Sequence, residues 1–246
     1  MISLEPWFLA TLLLVSVFAG ATASIAGFGI GSLLTPLLAV KLGVPLAVAA
    51  VAIPHALATA LRCWRLWPFI DRRVMRSFGI LSAVGGLAGA LLHARASSRL
   101  LTVLLAALLL LTAIVTLFDL NRKWIPGTIG ASTLGLLSGF FGGAAGNQGG
   151  LRAAALLTFS LAPLAFVATS TAVGLIVDAV RLPIYIFNAG ADMLRLSGLI
   201  GLAGVGVVVG TLLGERLLFG LSPDLFRRFV ACLVGALAIW LAAQVW

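Results

Sequence analysis

The charged residues that could do chemistry in this sequence lie within apolar segments. Asp178 is the only carboxylate well inside an apolar run, and Arg181 follows it at a spacing that puts both on one helix face. An ionisable residue in such surroundings is a functional candidate, because burying a charge there is costly. Asp178 could carry a proton and Arg181 could bind an anionic group through its planar guanidinium. Alternatively, the two form a static ion pair.

Hydroxyl and imidazole groups add to these candidates. Thr169, Ser170 and Thr171 precede Asp178 in the same apolar run and could line the same path. Hydroxyls in helices often bond to their own backbone, so this cluster is weak evidence alone. His55, in an apolar run of the first half, is either a proton carrier or a hydrogen-bonding group between helices.

Two glycine clusters interrupt apolar runs. Such breaks free backbone N–H and C=O groups, which must face protein or a cavity rather than lipid. Paired breaks predict a substrate site, and a short helix starting after each would favour an anion. The alternative is that the glycines only permit tight helix packing. The substrate-binding candidates at the breaks are Gly27, Gly29, Gly31, Gly146, Asn147, Gln148, Gly149, Gly150 and, just beyond them, Arg152.

Asn147 and Gln148 stand where the first break has Phe28 and Gly29. Their amide groups supply donors and acceptors to a ligand, or satisfy the broken backbone. By contrast, two glycine pairs in uninterrupted apolar runs, Gly85-xxx-Gly89 and Gly206-xxx-Gly210, predict helix packing.

The composition predicts that a membrane holds these residues in place. Of 246 residues, 62% are hydrophobic and 9% charged, with a mean hydropathy of +1.20. No water-soluble fold hides so much apolar surface. Runs such as Leu100 to Leu117 are apolar on every face, which excludes the alternating strands of a β-barrel. The sequence predicts an all-α polytopic integral membrane protein with about eight to ten transmembrane segments, two of them short or re-entrant half-helices.

The expected segments follow from the apolar runs. The short segments are Ile30 to Val40 and Leu151 to Leu161, each reaching about half the hydrocarbon thickness. The long segments are Trp7 to Ala26, which we interpret as a retained helix and not a leader, Val44 to Trp67, Phe78 to Leu92, Leu100 to Phe118, Ile125 to Ala145, Pro163 to Phe187, Leu196 to Leu213 and Leu225 to Val245.

The breaks belong to an internal repeat. Ala19-Gly20 and the first break match Ser138-Gly139 and the second, and Pro45-Leu46-Ala47 then matches Pro163-Leu164-Ala165. The sequence therefore predicts two transmembrane repeats, residues 1–121 and 122–246. They are parallel if the short segment does not cross the membrane and inverted if it does, and the basic residues do not decide between these options.

Other residue types narrow the function classes. The net charge of +9 comes from residues at the ends of apolar runs, which sets topology and does not indicate nucleic acid. The basic segment Arg62 to Arg76 is placed in the cytoplasm, and Trp64, Trp67 and Tyr185 are interpreted as interfacial anchors. Neither a metal site, a cofactor nor an enzymatic activity is expected, because no reactive motif is present.

With the duplicated Ala/Ser-Gly, glycine-break and Pro-Leu-Ala pattern, the sequence resembles the TauE/SafE family of membrane proteins, the sulfite exporter or toluene sulfonate uptake permeases. The likeness rests most on Ala19 to Pro36 and Ser138 to Gly150. It departs from the family pattern in the second half, where Asn147, Gln148 and Arg152 occur and Ala155 replaces the proline found at Pro36.

The resemblance implies a secondary active transporter of sulfite, an organosulfonate or another sulfur-containing anion, working by alternating access in the bacterial inner membrane. Its partners would be the anion, the lipid bilayer and a coupling ion, for which the proton is expected with Asp178 and His55 as carriers. A homodimer is one option for its assembly. The alternatives are a passive anion channel and a structural membrane subunit.

Overall fold

The computed structural model describes residues 5–27, 29–118, 128–147, 149–156, 159–217 and 223–243, and these residues contain helices and no strand. The α-helices are α1 Pro6–Ala26, α2 Ile30–Leu42, α3 Val44–Arg65, α4 Arg72–Val74, α5 Ile80–His93, α6 Ser98–Leu117, α7 Thr128–Ala145, α8 Gly149–Leu156, α9 Pro163–Arg195, α10 Ser197–Leu217 and α11 Pro223–Ala243. Between α3 and α4 lies a 3-10 turn, Trp67–Phe69, and a π-helical turn, Met75–Gly79, joins α4 to α5.

Six stretches of described helix are long and apolar enough to span a membrane. They make the chain a multi-pass membrane protein; spans beyond these six stay a prediction. Two shorter apolar stretches, Ile30–Leu42 and Val234–Ala243, accompany them. The six are Pro6–Ser24, Val44–Arg65, Arg72–His93, Ser98–Val115, Pro163–Arg195 and Ser197–Gly214.

Two helices extend beyond their predicted ends. Asp71 caps the helix at Arg72, upstream of the predicted start at Phe78, by accepting hydrogen bonds from the N–H groups of Arg73 and Val74. The other, α9, has 33 residues and passes the predicted end at Phe187. The additional residues include an exposed ion pair at i,i+3 spacing between Asp192 and Arg195.

The first short segment doubles back along the helix before it. Lys41, in the last turn of α2, places its ammonium nitrogen 5.6 Å from the ring centre of Trp7 in the first turn of α1. The end of α2 therefore lies beside the start of α1. With 13 residues, α2 spans about 20 Å, less than a bilayer core of roughly 30 Å.

Glycines allow the closest helix contacts. α1 packs against α10 and α7 packs against α5. A Cβ atom on Gly89 would overlap the carbonyl of Phe140, and one on Gly210 would overlap the carbonyl of Val17. The packing role predicted for the Gly85-xxx-Gly89 and Gly206-xxx-Gly210 pairs is thus confirmed.

This packing predicts opposite effects of one substitution at two sites on α10. Gly210→Ala is expected to lower the free energy of unfolding by about 1–3 kcal/mol, because the added methyl group forces the helix backbones apart. Gly201 is the matched control, since a Cβ atom there meets nothing within 4 Å. Thermal melting in detergent should show a lower melting temperature for Gly210→Ala and an unchanged or higher one for Gly201→Ala. Equal melting temperatures would contradict the packing role.

Candidate functional site

Both glycine clusters break the helices, as the sequence predicted. α1 ends at Ala26, and Gly27 then adopts the left-handed conformation with φ 75°, followed by Gly29 with φ 136°. α7 ends at Ala145, and Gly146 repeats the left-handed conformation with φ 70°. Residues other than glycine rarely adopt these backbone angles, so the glycines determine where both helices break.

The two breaks meet inside the protein. A Cβ atom on Gly31, in the first turn of α2, would overlap the carbonyl oxygen of Gly146. Beside this contact the Ser32 hydroxyl donates a hydrogen bond of 3.1 Å to the Asn147 side-chain carbonyl. Asn147 is buried and its amide nitrogen has no partner. The breaks therefore bury polar groups at one place, and one donor there is free.

Arg152 joins this place to α9. Its Nε donates to the Ser170 hydroxyl at 3.0 Å, and its Nη2 donates to the carbonyl oxygen of Gly27 at 3.2 Å. The residue is 2% exposed, and Nη1 has no hydrogen-bond partner. The predicted binding residues Gly27, Arg152 and Ser170 are thus in direct contact, with a donor left over.

Arg62, in the last turn of α3, is a second buried arginine with unpartnered nitrogen atoms. It is 5% exposed, its Nη2 lies 3.5 Å from the Thr59 hydroxyl, and its Nε and Nη1 have no partner. Arg62 lies within the predicted segment Val44 to Trp67, but its burial separates it from the exposed arginines of the basic segment in which it was grouped. Its spacing from His55 and Thr59, on one helical stripe, could have identified it.

Asp178 forms the ionic centre of the cluster. Its Oδ2 lies 2.6 Å from His55 Nδ1, and its Oδ1 accepts from Arg181 Nε at 2.9 Å and pairs with Nη2 at 2.7 Å. Arg181 Nη1 donates to the carbonyl oxygen of Gly142 at 2.6 Å. Every nitrogen of the Arg181 guanidinium therefore has a partner within the protein, which argues against a direct contact of Arg181 with an anion.

The hydroxyl cluster divides its contacts. Thr169 accepts a 2.9 Å hydrogen bond from the backbone N–H of Asp71, Ser170 binds Arg152, and the buried Thr171 hydroxyl has no partner. Gly149 and Gly150 begin α8. Gln148, the remaining predicted binding residue, lies outside the described residues.

The prediction that Tyr185 is an interfacial anchor was wrong. The residue is fully buried, and its hydroxyl donates to the carbonyl oxygen of Gly143. Its ring lies 4.8 Å from that of His93, measured between centres. Trp64 and Trp67 are exposed, as expected of anchors.

The buried cluster carries excess positive charge. Thr59, which accepts from Arg62, lies 3.4 Å from Nδ1 of His55, the partner of Asp178. A Cβ atom on Gly174, one turn before Asp178, would lie 2.9 Å from Arg152 Nη1. With Arg181, three guanidinium groups among the described residues thus share the carboxylate of Asp178, so two positive charges are uncompensated when His55 is neutral. Such an excess is unfavourable in a low-dielectric interior unless an anion joins it. Among the described residues, no group of three His, Cys, Asp or Glu side chains could hold a metal ion.

A basic cavity opens near this cluster. Its volume is about 660 Å³, and Asp71 in its wall is hydrogen-bonded to Thr169, the neighbour of the Arg152 ligand Ser170. Arginines in such a wall raise the local concentration of anions. The lining residues are Asp71, Arg72, Arg73, Val74, Arg76, Ser77 and Phe159.

Comparison with known proteins bears on the family. The family model described as "Sulfite exporter TauE/SafE" matches residues 12–241, nearly the whole chain. This confirms the resemblance found in the sequence. No curated protein and no solved structure matches the chain.

Two aspartate–arginine pairs on α9 with the same spacing give a stability prediction. Asp178→Ala is expected to lower the free energy of unfolding by about 3–5 kcal/mol, because it leaves a buried Arg181 charge uncompensated. Asp192→Ala, in the pair with Arg195 whose side chains are 56% and 81% exposed, should cost less than about 1 kcal/mol. Denaturation of both variants in detergent measures the difference. A similar small loss for both would show that the Asp178 pair is not buried.

Proposed function

We propose that this chain, which belongs to the sulfite exporter TauE/SafE family of membrane transporters, is a secondary active transporter of a small anion. Its expected substrate is sulfite, an organosulfonate or another sulfur-containing anion. Transport would occur across the bacterial inner membrane, with the basic segment at Arg72 to Arg76 on the cytoplasmic side. In that orientation the basic cavity beside α4 is the cytoplasmic entrance.

The observation that carries this proposal is the buried Arg152 beside the first helix break. Its guanidinium is held in place by Ser170 and the Gly27 carbonyl, yet Nη1 points to no partner. An oriented guanidinium with a free N–H group is suited to a planar or tetrahedral oxyanion, which accepts charge-assisted hydrogen bonds. The free Asn147 amide and Thr171 hydroxyl add neutral donors nearby.

Alternating access would come from the two halves moving around this site. Because α2 returns to the side from which α1 starts, α1 and α2 together make no net crossing. The three stretches Val44–Arg65, Arg72–His93 and Ser98–Val115 then give the first half an odd number of crossings. We therefore place the repeats in inverted orientation. The cross-packing of α1 with α10 and of α7 with α5, helices at matching places in the two halves, suits such a pair. Movement at the contact between Gly31 and Gly146 would then open one side as the other closes.

The proton is the proposed coupling ion, and Asp178 its carrier with His55. A proton on Asp178 would remove the negative charge that binds Arg181 and would change the 2.6 Å contact with His55. Because His55 lies on α3 and Asp178 on α9, protonation would alter the contact between these two helices. Proton binding and helix position are thereby linked.

Counterflow in proteoliposomes tests both carrier mechanism and site. Vesicles preloaded with unlabelled sulfite should accelerate uptake of labelled sulfite, as a carrier requires. Arg152→Gln should reduce this uptake at least about tenfold, because one charge-assisted contact to the anion is lost. Arg195→Gln, on exposed α9 surface, is the matched control and should transport normally.

Two results would contradict the proposal. Uptake that preloading does not accelerate would indicate a passive channel. Normal transport by Arg152→Gln would remove Arg152 from the site.

A further inference from the structure

We propose that Arg62 is a second guanidinium ligand of the transported anion, and that with Arg152 it makes the site selective for dianions over monoanions of the same shape. This inference rests on the proposed transport function and adds a specificity-determining residue to it.

The Arg62 side chain is buried with most of its hydrogen-bonding capacity unused. It is 5% exposed, and two of its three nitrogen atoms, Nε and Nη1, have no hydrogen-bond partner. Its Nη2 donates a 3.5 Å hydrogen bond to Thr59, which is longer than the usual N–H···O distance. Buried guanidinium groups are normally paired with carboxylates or saturated with acceptors. Arg62 is therefore buried with one weak hydrogen bond and two unpartnered nitrogen atoms.

Orientation of the chain in the membrane does not require Arg62. The arginines that follow it, Arg72, Arg73 and Arg76, are exposed and carry positive charge on that side of the molecule. An exposed position would serve orientation equally well and would avoid desolvating the charge. Burial of Arg62 at the end of α3 therefore requires another reason.

The charges around Asp178 do not balance. Arg62 reaches this place through Thr59 and His55, and Arg152 Nη1 lies against Gly174, one turn before Asp178. The carboxylate of Asp178 is already paired with Arg181 and His55. The cluster thus holds two positive charges in excess with His55 neutral. A monoanion would leave one of them uncompensated, whereas a dianion neutralises both. In a low-dielectric interior the electrostatic energy of the uncompensated charge separates a dianion from a monoanion of the same shape.

Arg62 and Arg152 together have three nitrogen donors without a hydrogen-bond partner. Arg62 Nε, Arg62 Nη1 and Arg152 Nη1 are all unpartnered. An oxyanion with three or more equivalent oxygen atoms can accept from all three, with its charge spread over those oxygens. Two separate guanidinium groups thus suit one compact anion that carries two charges.

Sulfate and methanesulfonate test the inference, because both are tetrahedral and of similar size but carry two charges and one. Titration calorimetry on the purified full-length protein at neutral pH measures both affinities. We expect sulfate to bind at least about tenfold more tightly than methanesulfonate. Equal affinities, or tighter binding of methanesulfonate, would overturn dianion selection and leave the anion transporter standing. Binding of neither probe would overturn the inference together with the anion site.

Variants separate charge from packing. In Arg62→Gln the ratio of the two affinities should fall to within about twofold, mainly by weaker sulfate binding, because one of two positive charges is removed. Arg62→Lys keeps the charge and should keep most of the ratio. Arg195→Gln, the exposed control, should leave both affinities unchanged. An unchanged ratio in Arg62→Gln would overturn the role of Arg62, and if that variant does not fold, the wild-type ratio decides.

Discussion

A guanidinium group taken out of water needs an anion or several acceptors, and this requirement shapes the centre of the protein. Three arginines lie buried there with one carboxylate. Arg181 takes that carboxylate, Asp178, together with the carbonyl oxygen of Gly142. Arg152 is left partly satisfied and Arg62 largely unsatisfied. Such an arrangement is electrostatically suited to the proposed anion.

The helix breaks and the packing glycines meet that demand. The left-handed Gly27 ends α1, and its carbonyl oxygen accepts a hydrogen bond from Arg152. Packing glycines bring α1 close to α10 and α7 close to α5. The contact between Gly31 and Gly146 brings the two breaks together. Charge, breaks and close packing are thus parts of one constraint.

Local rules predicted the helices and the breaks, because apolar runs and glycine clusters act within a few residues. They identified Arg152, Ser170 and Asp178 as polar residues in apolar surroundings. They placed Tyr185 wrongly and did not single out Arg62, since a residue near the end of an apolar run is interpreted as interfacial until tertiary contacts bury it. The pairing of His55 with Asp178 was equally beyond local reasoning, because it joins two helices far apart in the sequence.

The proposed anion site can be located directly with selenate, the heavier analogue of sulfate. Crystals of the full-length protein soaked in selenate, with diffraction collected at the selenium absorption edge, would give an anomalous peak at the bound anion. We expect the strongest peak within hydrogen-bonding distance of the free nitrogens of Arg62 and Arg152. A strongest peak in the surface cavity at Arg72 and Arg76, with none at the buried pair, would contradict it.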